Sequence, residues 1–158
     1  MYALRQAEWS TLSEIQQLQL KALLLDADPS WEQVSRYLFQ SKLFIMLNDQ
    51  AHIIAQLCLW QSDDEQAEIK NLAVDPHYQG QGLAKTLIQQ VIESAKPLNI
   101  QTLWVKTGNS SLDQLALYQK CGFRLSHIEP DVFKDYPTPM YENGIRCLDQ
   151  VVLSIGLS

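Results

Sequence analysis

The sequence predicts an α/β fold: a twisted, mostly antiparallel mixed sheet with one central parallel pair and helices on both faces. Apolar residues make up 46% of the 158 residues, enough for one core in a chain too short for two comfortable domains. One domain over residues 1–158 is therefore expected. The apolar period changes along the chain, from helical spacing near the N-terminus to unbroken strand runs after residue 42, then to alternating helix and strand. A strand–helix–strand order in the middle implies a right-handed parallel crossover, while the hairpin before it implies antiparallel pairing.

The elements follow in order. Tyr2 to Ala7 alternates weakly and reads as a first strand. Thr11-Leu12-Ser13-Glu14 has the form of a capping box, with apolar positions Ile15, Leu18, Ala22 and Leu25 behind it as a helical stripe. Asp28-Pro29-Ser30 breaks that helix, and Ser30 with Gln33 opens a short second one through Val34, Tyr37 and Leu38. Leu43 to Leu47 and His52 to Trp60 read as a hairpin around Asn48-Asp49-Gln50. Glu68 to Val74 is a further strand, ended by Asp75-Pro76. A helix runs from Gly82 to Ala95, with Leu83, Leu87, Val91 and Ala95 four apart, and Pro97 stops it. Thr102 to Lys106 is a strand, and Ser111 to Lys120 a helix with Gly122 at its C-terminal cap. Phe123 to Ile128 and Cys147 to Ile155 are the last strands, joined by a long loop from Pro130 to Gly144.

Composition removes several classes. Twelve Lys and Arg against eighteen Asp and Glu give a net charge of −6, against a nucleic-acid binder, whose phosphate contacts need a basic face. No apolar run reaches the roughly 18 residues of a membrane helix, and the first residues lack the apolar core of a signal peptide. Cys58, Cys121 and Cys147 are an odd number, widely spaced, with no C-x-x-C pair, which reads as reduced thiols in a cytoplasmic protein. His52, His77 and His127 have no metal-ligand spacing, so no metal is expected.

The chemistry concentrates in Val74-Asp75-Pro76-His77-Tyr78-Gln79-Gly80-Gln81-Gly82-Leu83-Ala84. A buried strand feeds a loop with two glycines, and the loop opens a helix. Glycines let backbone amides approach an anion, and the free N–H groups and dipole of a helix start favour phosphate. A plain strand-to-helix turn explains the same residues. The Rossmann fingerprint fails for want of a third glycine and a following acidic residue, and the P-loop spacing is absent.

These residues resemble the GNAT family of N-acetyltransferases. Gln79-Gly80-Gln81-Gly82-Leu83-Ala84 matches the family's [QR]-x-x-G-x-[GA], with Val74-Asp75-Pro76 as its lead-in. Asn109 with Leu117-Tyr118-Gln119-Lys120-Cys121-Gly122-Phe123 is similar to the family's N-x-x-A-x-x-x-Y-x-x-x-G-F, although the stretch from Asn109 is longer than the tightest form. The element order agrees over nearly the whole chain.

The resemblance implies acetyl-CoA as donor. Its pyrophosphate is held by the amides of Gln79, Gly80, Gln81, Gly82, Leu83 and Ala84, its pantetheine arm by the backbone of Leu72, Ala73 and Val74, and its thioester lies where the sheet splays. Tyr118 matches the tyrosine that protonates the departing thiolate; its position among Leu115 and Leu117 suits core packing equally. Glu68 matches the base of the histone-acetylating branch, with a water chain or a plain strand-edge carboxylate as alternatives. Asn109 resembles the asparagine that contacts pantetheine or orients the site, and otherwise reads as a turn residue. The acceptor site of relatives corresponds to residues 23–37 and 135–144. There Tyr136, Tyr141 and Glu142 suit a cationic amine through cation–π contact and ion pairing, beside the reading as an ordinary connection.

The implied function is acetyl transfer to a primary amine, on a small molecule or a peptide, by direct attack in a ternary complex. The alternative is a catalytically weak acyl-CoA-binding sensor or interaction module. No histidine is visibly paired with a cysteine for an acetyl-cysteine route. Relatives are often homodimers, and the apolar Val151-Val152-Leu153 run suits core or interface.

Overall fold

The computed structural model describes residues 1–157. In chain order the elements are β1 (Ala3–Ala7), α1 (Glu14–Ala27), α2 (Trp31–Leu38), β2 (Lys42–Leu47), β3 (Ile53–Gln61), β4 (Gln66–Val74), α3 (Leu83–Ala95), β5 (Thr102–Gly108), α4 (Leu112–Lys120), β6 (Arg124–Glu129), β7 (Tyr141–Glu142), β8 (Ile145–Arg146) and β9 (Gln150–Gly156). Seven strands form one sheet in the order β1-β2-β3-β4-β5-β9-β6, and β7 with β8 makes a separate small hairpin. Every neighbouring pair is antiparallel except β4 and β5. The predicted mixed sheet with one central parallel pair is the observed one.

Each face of the sheet carries its own core. On one face, Leu87, Ile88 and Val91 of α3 and Tyr118 of α4 pack against Leu57, Leu59, Leu103 and Leu153. On the other, Leu20, Leu23 and Leu24 of α1 and Val34 and Leu38 of α2 cover Leu43, Ile45 and Cys58. Each fully buried leucine stabilises the fold by about 1.5–3 kcal/mol relative to exposure. Val151, Val152 and Leu153 are buried in β9, between β5 and β6, so that run is core.

Helix α1 departs from its expected start and its expected face. Ser13, not Thr11, caps it: the Ser13 hydroxyl accepts from the Gln16 amide at 3.1 Å, and the Gln16 side chain accepts from the Ser13 amide at 3.2 Å. Thr11 lies in a 3₁₀ turn and donates to Glu8 O. The stripe through Ile15 and Leu18 faces outward, with these residues 65% and 70% exposed. Seven of its fourteen residues are Ile, Leu or Ala within 15–25, so apolar stripes can be drawn on either side, and the sheet selects the one through Leu20, Leu23 and Leu24. Helix α2 begins as expected, the Ser30 hydroxyl accepting from the Gln33 amide.

Candidate active site

The site begins where the sheet divides. Parallel pairing of β4 with β5 runs from Gln66 opposite Thr102 to Ile69 opposite Val105 and stops. Beyond it β4 stays paired with β3 out to Val74, and β5 with β9 out to Gly108. The two strands therefore part, leaving the inner edge of β4 without a strand partner. An unpaired edge is a template for an extended amide-bearing ligand. A bulge sits at the fork: Leu59 faces Ile69 but Cys58 faces Asn71, so Lys70 is an extra residue. The slot between the strands, about 380 Å³, is lined by residues 69–74 and 105–107, with Ser111 at the N-cap of α4, Gln114 and Tyr118 of α4, Asp26 of α1 and Glu142 of β7.

The loop after β4 supplies the next part. The Asp75 carboxylate accepts from the His77 amide at 2.8 Å, and Gln79 donates its side-chain amide to Val74 O at 3.0 Å, which folds the loop back on the strand. Gly80 and Gly82 have φ of +81° and +79°, where an L side chain is strained, although a Cβ at either would meet only open space. Gly82 is the N-cap of α3 and offers no side-chain cap, so the first amides of the helix stay unclaimed. They face a second cleft of about 350 Å³ that joins the slot along Leu72, Ala73, Val74, Gln79 and Gln114. Gly80, Gly82, Leu83, Ala84 and Lys85 line it as well.

Tyr118 forms the wall of the slot from the α4 side. It is 5% exposed, its ring edge-on to Phe123 at 5.9 Å between centroids. Among the described residues its hydroxyl has no hydrogen-bond partner. Burial, helped by the nearby Cys121, raises its pKa above the ordinary tyrosine value, so it stays protonated. A neutral hydroxyl that opens on the slot can give a proton and is a poor base.

Across the fork lies a third recess, about 370 Å³, sharing Lys70, Lys106, Thr107, Ser111 and Glu142 with the slot. Tyr136, Tyr141 and Glu142 line it together, with Phe133, Met140 and the α1–α2 corner at Asp28 and Pro29. The Ser111 hydroxyl donates to the Glu142 carboxylate at 2.8 Å. The hairpin that carries Tyr141 and Glu142 turns at Asn143 and Gly144, both at positive φ. That Asn-Gly pair is a hairpin signal, and it marks structure inside what the sequence reads as loop. Gly108 is needed for close approach, since a Cβ there would sit 2.7 Å from Cys147 Sγ.

The acetyltransferase (GNAT) family matches residues 2–123. The chain belongs to the GNAT family. It is 39% identical to the uncharacterized N-acetyltransferase YvbK of Bacillus subtilis over 140 residues, 88% of this chain and 90% of that one. A GNAT acetyltransferase from Elizabethkingia anophelis, solved with acetyl-CoA bound, is 38% identical with a TM-score of 0.88 over 99% of this chain and 98% of that one. A Bacillus subtilis acetyltransferase solved in complex with CoA is 35% identical, with a TM-score of 0.90 over 100% of both chains. The protein is thus an acyltransferase that uses acetyl-CoA. The free edge of β4 and the unclaimed amides at the start of α3 fit that donor.

In this GNAT chain three expected site residues fall outside the clefts. Gln81 is braced instead against the N-terminal strand, its side-chain oxygen accepting from the Tyr2 hydroxyl at 2.8 Å. Asn109 is a staple: it donates to Arg146 O at 3.1 Å and accepts from the Leu148 and Asp149 amides at 2.9 and 3.0 Å, so its polar atoms are spent tying β5 to the segment before β9. The family's asparagine stands seven residues before its tyrosine, and seven before Tyr118 is Ser111, which does line the slot. Glu68 lies below the fork, opposite Trp104, with its carboxylate 3.4 Å from Lys70 Nζ. It reaches the slot only through Lys70.

No His/Cys/Asp/Glu grouping able to hold a metal occurs among the described residues. All three cysteines are free, and burial pushes the Cys58 thiol up to about 12.

Proposed function

We propose that residues 1–158 form one domain that moves the acetyl group to a primary amine by direct attack within a ternary complex. The observation that supports it best is the unpartnered, protonated Tyr118 hydroxyl in the wall of a slot that joins the two clefts. The free amides after Gly82 and the edge of Leu72, Ala73 and Val74 hold the donor, placing its thioester in the slot. The amine arrives from the recess of Tyr136, Tyr141 and Glu142 and attacks the carbonyl carbon as the C–S bond breaks. Before it attacks, the ammonium gives one proton to water, since Glu68 is paired with Lys70; Tyr118 then gives its proton to the sulfur, and the second proton of the acylated nitrogen passes through water to restore the Tyr118 hydroxyl. The acceptor is a small molecule or a peptide, and the compartment is the cytoplasm.

Calorimetric titration with acetyl-CoA, CoA and NADH, followed by an amine panel, tests the reading. Binding of the first two alone, with turnover of at least one amine, is expected. Tight CoA binding with no turnover of any amine would favour the sensor alternative.

A further inference from the structure

Lys70 and Lys106 occupy the same step of the fork. Ile69 and Val105 are the last parallel pair, and the next residue on each strand is a lysine. Both lysines line the slot and the acceptor recess, and neither lines the cleft at the start of α3. Each is held from outside the recess. Lys70 Nζ lies 3.4 Å from the Glu68 carboxylate and over the rings of Trp60 and Tyr37, at 5.1 and 5.9 Å from their centroids. Lys106 Nζ lies 3.4 Å from the Glu129 carboxylate. Two lysines, each held by one carboxylate, thus line the passage between the recess and the slot.

The remaining charges around the recess are Asp26, Asp28 and Glu142. Asp28 spends its oxygens on the Ser30 amide and the Tyr37 hydroxyl, and Glu142 accepts from Ser111. Four larger apolar and aromatic side chains, Phe133, Tyr136, Met140 and Tyr141, share the wall with the polar Gln33, Thr107, Ser110 and Gln150. A plain alkylammonium entering here finds carboxylates, Asp26 among them, but gains nothing from the two lysines. An amine that carries its own carboxylate meets two partners instead, and its amino group is then delivered beside the slot.

We propose that the acceptor is a free amino acid with an apolar or aromatic side chain, its carboxylate bound between Lys70 and Lys106. This rests on the acetyl-transfer reading above and names its substrate class. The amino group first loses one proton to solvent, its nitrogen then forms the new bond to the acetyl carbon as the C–S bond breaks, the sulfur takes the Tyr118 proton, and the second proton of the nitrogen returns through water to the Tyr118 oxygen. A peptide N-terminus or a lysine side chain lacks a carboxylate next to its amine and forfeits both contacts. Losing one charge-assisted contact corresponds to roughly tenfold or more in affinity.

The test compares L-phenylalanine, phenethylamine and an N-terminal phenylalanine tripeptide amide as acceptors at saturating acetyl-CoA. It uses the wild type, Lys70→Met, Lys106→Met and Lys106→Arg. Expected is a kcat/KM for phenylalanine at least tenfold above the other two. Each Lys→Met narrows that gap by about tenfold, Lys106→Arg retains it, and the Kd for acetyl-CoA stays within twofold. Equal or faster turnover of phenethylamine or the tripeptide overturns the assignment while leaving acetyl transfer intact, and so does a gap that survives both Lys→Met changes. If no amine is turned over, the transfer reading fails separately. Calorimetry of N-acetyl-L-phenylalanine against N-acetylphenethylamine on the CoA-loaded protein then decides: tenfold tighter binding of the first supports the carboxylate site, and equal binding overturns it.

Discussion

The two sides of the fork are built by different means. On the α3 side the wall is backbone: the edge of β4, two glycines at positive φ and the free amides of a helix start. On the α1–α2 side the wall is side chains, Lys70, Lys106, Tyr136, Tyr141 and Glu142, drawn from distant segments and held by a staple at Asn109. A backbone site recognises what every use of the donor has in common. A side-chain site is free to vary with the acceptor. Tyr118 stands where the two meet, and the largest effect is expected there. Tyr118→Phe should lower kcat by about 10²–10⁴-fold, the usual range for a proton donor, with acetyl-CoA affinity within twofold. Unchanged turnover would assign Tyr118 to packing against Phe123 alone.

Asn109→Ala sharpens the contrast from the acceptor side. Three hydrogen bonds at about 1 kcal/mol each predict a loss of about 2–3 kcal/mol in urea unfolding. With the segment from Arg146 to Asp149 released, the KM for the amine should rise while the Kd for acetyl-CoA holds. A change confined to the Kd for acetyl-CoA would return Asn109 to the donor side.

The same contrast explains what was legible in the sequence. Gly80 and Gly82 announce the proposed donor side because a tight strand-to-helix turn leaves few residue types free, and its parts are contiguous. The acceptor side joins residues from 26 to 150 in sequence, and no local pattern ties Lys70 to Lys106 or Ser111 to Glu142. Tyr136, Tyr141 and Glu142 stand out in the sequence as a cluster of suitable side chains, but the β7–β8 hairpin that carries Tyr141 and Glu142 is signalled only by Asn143-Gly144. Glu68 and Asn109 have the right residue types at nearly the right spacing. What the sequence hides is that Lys70 and the segment before β9 already claim their polar atoms. Helix α1 shows the limit for local structure: with apolar residues on both sides, only the sheet beneath it decides which face is buried.

Gly82→Val probes the backbone side. A β-branched residue at φ near +79° is strained by about 1–2 kcal/mol or more, and relaxing that strain turns the first amides of α3 away from the cleft. CoA affinity should fall about tenfold, measured by calorimetry, while the amine's KM at saturating acetyl-CoA changes little. Gln81→Ala, which removes only the brace to Tyr2, should weaken CoA binding by less than threefold.

The smallest effect concerns the wall between the two sides. Tyr118 has its pKa raised by burial, so the folded chain keeps its proton to higher pH than the unfolded chain. Below pH 10 both states are protonated and the native contribution is complete. Above that the unfolded chain ionises first, and stability falls as pH rises, by at most about 1.4 kcal/mol per pH unit for one such group. Tyr37, also raised chiefly by burial, adds a contribution of the same sign, and so does Cys58, from about pH 9 upward. Urea midpoints between pH 8 and 11 should therefore decline more steeply in the wild type than in Tyr118→Phe, and Tyr118→Phe should still slope because of Cys58 and Tyr37. Identical slopes would mean that the Tyr118 hydroxyl is solvated through the slot. A solvated hydroxyl is still able to protonate a leaving thiolate, but it loses the insulation that keeps its proton in place until the C–S bond breaks.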